Sequence, residues 1–379
     1  MKFCSALLII VFGKLLASGT IVLREDGYHV QPGDSIQEAI ELAAANKTNK
    51  TVNVQAGTYR PGAHGQAFIF LNRRHDGVQL KARGNVVLTA ANAEIARAGA
   101  RGFPAIVNHI VYFGDGITRR TVFDGFKLTG AKGYFTTNAT EQIEPNLLLE
   151  RGLFFYGDGG AMKVFGRSYP IIRNVECYDN YASPCAGGLS IQHEGHGNQT
   201  SPQAVLVENC IFRNNTAEVN AAAVDLLPGS VATLTNCLFV GNGGNLGRNY
   251  IDDRPQPEFT NAAPLCVFQA AFALVLNCTF TGNRNAVHDL SDTGSIYRNC
   301  VFWNNTLAGG FYTTNRFEFF AEGDPEVSAC FFNGVVIDPK RLLLKNSSNA
   351  FKAPDPDFDT AFNPRNPGYR TAGYRATPK

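Results

Sequence analysis

Lys163, Asp225 and His288 are the residues of this chain best suited to move a proton. Each stands in a short apolar strand beside Met162 and Val164, Val224 and Leu226, or Val287, so alternation puts all three side chains on the face opposite the apolar one. A base such as Lys or His can remove the proton next to a substrate carboxylate if a cation or proton donor neutralises that carboxylate. In such a β-elimination Lys163 or His288 is the base, and Asp225 orients it or helps to hold a calcium ion. Ser190 and Tyr312 share the outward phase; "APLCVFQ" is ambiguous in phase, and one of its two phases puts Cys266 in the slot between Asp225 and His288. Each step of two rungs is roughly 10 Å, a reach that suits a groove along an extended polymer better than a compact triad.

Two polar stretches supply candidate substrate contacts. "IQHEGHGNQTSPQ" (191–203) offers Gln192, His193 and Glu194; its two histidines have no third ligand fixed by spacing, so it is a poor zinc motif. "GNLGRNYIDDRPQPEFTN" (244–261) offers Arg248, Tyr250, Asp252, Asp253 and Arg254, the mix of aromatic and charged groups that sugar grooves use. Tyr312 adds an outward aromatic. A hydrolase needs two carboxylates about 5 to 10 Å apart. Asp225 is the one acid placed on the outward ladder, with Glu194, Asp252, Asp253 and Asp292 able to reach in from loops, so hydrolysis ranks behind elimination. Asp355, Asp357 and Asp359, around Pro356, read as a terminal capping turn.

A repeat positions these groups. "LVENCIFRNN", "TLTNCLFVGN", "LVLNCTFTGN" and "IYRNCVFWNN" share Asn-Cys-x-Phe-x-x-Asn. Apolar residues lie two and four before the first Asn and one and three after it, so the inward phase slips by one at Asn174, Asn209, Asn236, Asn277 and Asn299. A slip of one residue would turn a straight strand inside out, so the chain bends there, and Asn tolerates the left-handed conformation such a corner needs. A small-residue cluster and a third strand follow each unit, as in "GGAMKVFG" and "AAAVDLLPG". Three short strands per rung without intervening helices describe a parallel β-solenoid.

At this level the chain resembles the right-handed parallel β-helix superfamily that includes pectate lyases. "YHVQPGDSIQEAIELAAANKTNKTVNVQAGTYRP" (28–61) resembles its entry, an amphipathic helix capping the open end before the first strand, with Ser35 and Glu38 at capping-box spacing and Ile36, Ile40, Leu42 and Ala43 on the apolar face. The resemblance implies an all-β, right-handed parallel β-helix over residues 20–379, closed by a C-terminal cap over 340–379. It also implies activity on an extended acidic polysaccharide, with a lyase first and a glycoside hydrolase behind it. "GGA" and Phe-x-x-Asn also resemble the motifs of secreted repeat adhesins, such as the chlamydial polymorphic membrane proteins, which implies a non-catalytic carbohydrate binder as the competing class.

The bulk composition narrows the partners. Lys plus Arg is 34 against 32 for Asp plus Glu, without a long like-charge block, which argues against nucleic acid. "MKFCSALLIIVFGKLLASGT" reads as a signal peptide over 1–19, and no later apolar run is long enough to span a membrane, so a secreted, periplasmic or surface-located monomer is expected. Cys210, Cys237, Cys278, Cys300 and Cys330 are expected inside as reduced packing thiols, with Cys177 and Cys185 the best-placed disulfide pair.

Overall fold

The computed structural model describes residues 21–94, 105–132, 157–182, 185–193, 203–244, 262–306, 316–341 and 346–376. Residues 1–20, where a signal peptide is expected, and residues 245–261 lie outside the described residues. The chain winds as a right-handed parallel β-helix.

The corner residues act as the repeat requires. Asn174, Asn209, Asn236, Asn277 and Asn299 all adopt φ between 53° and 55°. Each separates two strands of one long sheet, as in Val205–Glu208 and Ile211–Arg213, or Val231–Thr235 and Leu238–Val240. Rungs pair in parallel and in strict register, with Phe212 opposite Phe239 and Phe239 opposite Phe280. Those rings stack at 5.1 and 4.4 Å, and the pile continues through Phe302, Phe332 and Phe351. Cys177, Cys185 and the repeat cysteines are all free and buried, and the Cys210 thiol donates to the Glu208 carbonyl at 3.3 Å.

The Asn that ends each Phe-x-x-Asn, together with Asn180 of the matching Cys177-x-x-Asn, builds a second, interior ladder. Asn180, Asn215, Asn242 and Asn283 each donate from Nδ2 to the side-chain oxygen of the next Asn, at 3.1, 3.1, 2.9 and 2.8 Å. Their other amide hydrogens go to the carbonyls of Leu128, Cys177, Phe212 and Phe239. The run is directional, and its last amide, Asn305, donates to Glu318.

The third strand of each rung forms a nine-stranded parallel sheet that includes Met162–Phe165, Leu189–Gln192, Val224–Leu226, Leu265–Val267, Val287–Asp289 and Phe319–Ala321. Phe320, and not Tyr312, stands opposite His288; Tyr312 lies outside the described residues.

The helix Ile36–Ala45 packs on the first strands with Ile36, Ala39, Ile40 and Ala43 buried, and the Ser35 hydroxyl accepts from the Glu38 amide at 3.2 Å. Leu42, expected on the buried face, is exposed because that face is narrower than the sequence pattern suggested. At the other end Asp355 and Asp359 accept backbone N–H groups of their own turns. The tail then runs back across the rungs: the amides of Gly373, Tyr374 and Arg375 donate to the Asn299 carbonyl, Thr279 Oγ1 and Asn236 Oδ1. Among the described residues no helix is long and apolar enough to cross a membrane.

Candidate functional site

Lys163, Ser190, Asp225, Cys266 and His288 do form one column, since each is opposite the next across the parallel sheet. Their neighbours Met162, Val164, Leu189, Ile191, Val224, Leu226, Leu265, Val267 and Val287 fill the central core. The expected outward phase therefore holds, but the expected solvation does not. Lys163, Ser190, Asp225, Cys266 and His288 are all buried, and Cys266 belongs to a small apolar cluster on that face with Ala221, Ala263 and Phe317.

The column divides into two parts. On the upper rungs Lys163 Nζ donates to Ser190 Oγ at 3.1 Å, and the turn before Met162–Phe165 brings in an acid absent from the outward-strand reading, Asp158. That turn needs glycine: Gly159 has φ 84°, and a Cβ there would lie 2.3 Å from the Met162 carbonyl oxygen. The Cys185 amide donates to Asp158 Oδ1 at 2.8 Å. One carboxylate oxygen each of Asp158 and Asp225, together with Cys185 Sγ, lie within 4.8 Å of one another, all buried. Among the described residues Asp158 Oδ2 has no hydrogen-bond partner, and neither oxygen of Asp225 makes a well-formed one, although the Ser190 side chain and the Ile191 backbone approach it.

Burial without full pairing sets the protonation pattern. Burial and then the charge of Asp225 push Asp158 well above the carboxylate range, against the pull of Lys163. Burial raises Asp225 to about 6, again opposed by Lys163. Lys163 is drawn below the usual lysine value by burial, which its two carboxylate neighbours partly offset. Burial, with Asp158 beside it, keeps the Cys185 thiol neutral.

Calcium does not fit this donor set. It takes six to eight hard oxygen ligands, whereas this cluster offers two carboxylates, a thiol and an ammonium group that already supplies positive charge.

His288 does not join the cluster. Cys266, whose thiol donates to Asn220 Oδ1 at 2.8 Å, separates it from Asp225. Its ring lies on Phe320 at 4.9 Å and its Nε2 pairs with Glu322 at 2.8 Å, while burial lowers its pKa. Of the loop candidates, Gln192 and His193 are buried. His193 Nε2 lies 2.9 Å from the Ser168 carbonyl and its Nδ1 accepts from the Val231 amide at 3.1 Å, so both ring nitrogens hold backbone and a packing role replaces sugar contact. Glu194, Arg248, Tyr250, Asp252, Asp253 and Arg254 lie outside the described residues.

Asp158 did leave a signal in the sequence. It immediately precedes the Gly-Gly of its rung, as Cys185 stands one residue before Ala186-Gly187-Gly188, and Cys185 pairs in turn with Asn220 of the next rung. The turn position before each small-residue cluster is thus a polar column of its own.

The family described as "Right handed beta helix region" matches residues 69–263. A solved structure similar to this chain is the catalytic domain of a GH87 alpha-1,3-glucanase in complex with tetrasaccharides, at 10% identity and a TM-score of 0.34, covering 89% of this chain and 70% of that one. No curated protein matches the chain in sequence.

Proposed function

This chain belongs to the right-handed β-helix family, and on that scaffold we propose that it cleaves an extended polysaccharide outside the cell, with Asp158 and Asp225 as the reacting acid and carboxylate. The observation that carries this reading is the pair itself: two buried carboxyl groups in reach of each other, with Asp158 Oδ2 unpartnered and Asp225 short of a well-formed hydrogen bond among the described residues. Native interiors rarely leave such groups unpaired without a functional reason. Environments that push two carboxyl pKa values apart mark an acid and its partner.

In this reading Asp158, held protonated, donates to the glycosidic oxygen as the bond to the anomeric carbon breaks. Asp225, ionised beside Lys163, attacks that carbon and forms a glycosyl ester. Water then displaces Asp225 while Asp158 takes up the water's proton. The short separation, within 4.8 Å, is on the side of double displacement with retention, because inversion needs about 6.5 to 9.5 Å to seat a water. The reaction requires sugar to reach the pair from the outward face of the sheet.

Elimination remains the second reading because burial draws the Lys163 pKa down, the direction a catalytic amine needs. The full burial of Lys163, Asp225 and His288 favours the third, a non-catalytic glycan binder. One assay separates them: purified protein with neutral and uronate polymers, followed by proton NMR of the new anomeric centres and by ultraviolet absorbance. Reducing ends of retained configuration are expected. Absorbing unsaturated ends would replace hydrolysis with elimination, and binding without products would leave the binder.

A further inference from the structure

We infer that a second groove, on the far side of the solenoid from the buried cluster, binds an acidic glycan. It encloses about 880 Å³ between the outward surface of the corner sheet and the returning C-terminal tail. Its floor carries Lys127, Glu176 and Arg213 on three successive rungs, and its wall carries Phe362 and Tyr374 from the tail. The volume falls within the range of small-ligand sites, about 300 to 1,000 Å³.

The charges are unequal. Glu176 accepts from Arg213 at 2.7 Å and faces Lys127 at 3.8 Å, so one carboxylate serves two cations and a positive charge is left over. The Arg213 guanidinium also rests 5.1 Å from the Tyr178 ring centre, which holds its fork in place. A carboxylate on a ligand would complete this row, most strongly as a bidentate partner of Arg213.

The rest of the lining selects a sugar chain over a peptide. Backbone N–H and C=O groups of the floor strands are already paired rung to rung, so no sheet edge is offered for strand addition. What remains are side chains: the corner amide of Asn209, which keeps one Nδ2 hydrogen beyond its bonds to Asn174 and Asn236, the half-buried Phe362 and the buried Tyr374. Phe362 is held at φ 63°, a conformation costly for an aromatic residue, by a turn in which its amide donates to the Asp359 carbonyl at 3.0 Å. Amides for hydroxyls, an aromatic for a ring face and a surplus cation for a uronate carboxylate together describe an acidic oligosaccharide. This site extends the glycan-directed reading above but does not depend on cleavage.

The test is titration of the full chain with oligogalacturonate, a neutral oligoglucan of equal length and a polyglutamate peptide, by calorimetry and by NMR of the aromatic signals. Oligogalacturonate should bind, shift the Phe362 and Tyr374 resonances and weaken with salt, and the other two should not compete. Arg213→Glu and Lys127→Glu should each weaken it about tenfold or more, while Asp158→Asn should leave it unchanged whether or not the protein is an enzyme. Lys127→Gln, which keeps Glu176 paired to Arg213, covers the case in which a reversal fails to fold. Equal binding of the neutral glycan or the peptide, or unchanged affinity in these variants, would overturn the assignment.

Discussion

Asp225→Asn is expected to reduce glycan cleavage about 1,000-fold, the scale at which a positioned carboxylate contributes. The substitution keeps the shape and removes the charge that attacks the anomeric carbon. It also leaves Lys163 with one carboxylate neighbour in place of two, so the amine should titrate still lower. Asp158→Asn should cost a similar factor on substrates with poor leaving groups and much less on activated aryl glycosides, which need no protonation to depart. The double variant should be little worse than either single one, because groups that act as a unit do not lose activity additively. A loss of twofold or less in Asp225→Asn, with the fold intact by circular dichroism, would remove this residue from the chemistry.

The second large effect concerns stability. The interior Asn ladder delivers its final hydrogen bonds to Glu318, whose oxygens accept from the Asn305 backbone amide at 3.3 Å and from its side-chain amide. A directional run of donors needs an acceptor at its end, yet this one is buried, and burial raises Glu318 to about 7 from the model-peptide 4.5. A carboxyl raised on folding binds its proton more tightly in the native state, so stability falls as pH rises from the unfolded value through the folded one. The shift corresponds to about 3 kcal/mol lost between pH 4.5 and 7. Asp225 and Asp289, each raised to about 6 by burial, titrate in the same direction. The informative quantity is therefore the difference between wild type and Glu318→Gln. In urea unfolding across that range, the variant should show a pH slope flatter by about 3 kcal/mol in total. Parallel curves would mean that Glu318 stays ionised at the end of its ladder.

The architecture was readable because it is periodic. A one-residue slip of apolar phase at Asn174, Asn209, Asn236, Asn277 and Asn299 located five corners, all of positive φ, while the same corner at Gly125 and Ala329 carries no Asn to mark it. The register of Lys163, Ser190 and Asp225 followed from strand alternation, whereas the phase of "APLCVFQ" left Cys266 open and His288 depended on Val287 facing in, and the parallel pairing places both in the column. Burial of that column was not readable, because alternation states which side of a strand a residue occupies and not what lies over that side. Asp158 was overlooked for a related reason. It sits in a turn whose path is set by the left-handed Gly159, outside any two-residue period, so only its place ahead of a small-residue cluster, matched by Cys185 and Asn220 on the next rungs, marked it. The Asn of Phe-x-x-Asn was visible as a repeat, but its donor chain depends on contacts between rungs that lie 22 to 41 residues apart. The thiol and ammonium gathered beside Asp225 make this cluster a poor calcium site, and Glu194, Asp252 and Asp253 lie outside the described residues.

Whether Asp158 and Asp225 work as an acid and its ionised partner is read from the pH dependence of kcat/KM on the polymer that the product assay identifies. A bell-shaped profile is expected, with an acidic limb near pH 6, where Asp225 ionises, and a basic limb that belongs to a carboxyl far above its ordinary range. These limbs describe the pair as a unit. In Asp158→Asn the basic limb should vanish while the acidic limb persists. An unchanged bell in that variant, or a wild-type profile flat from pH 5 to 8, would contradict these roles.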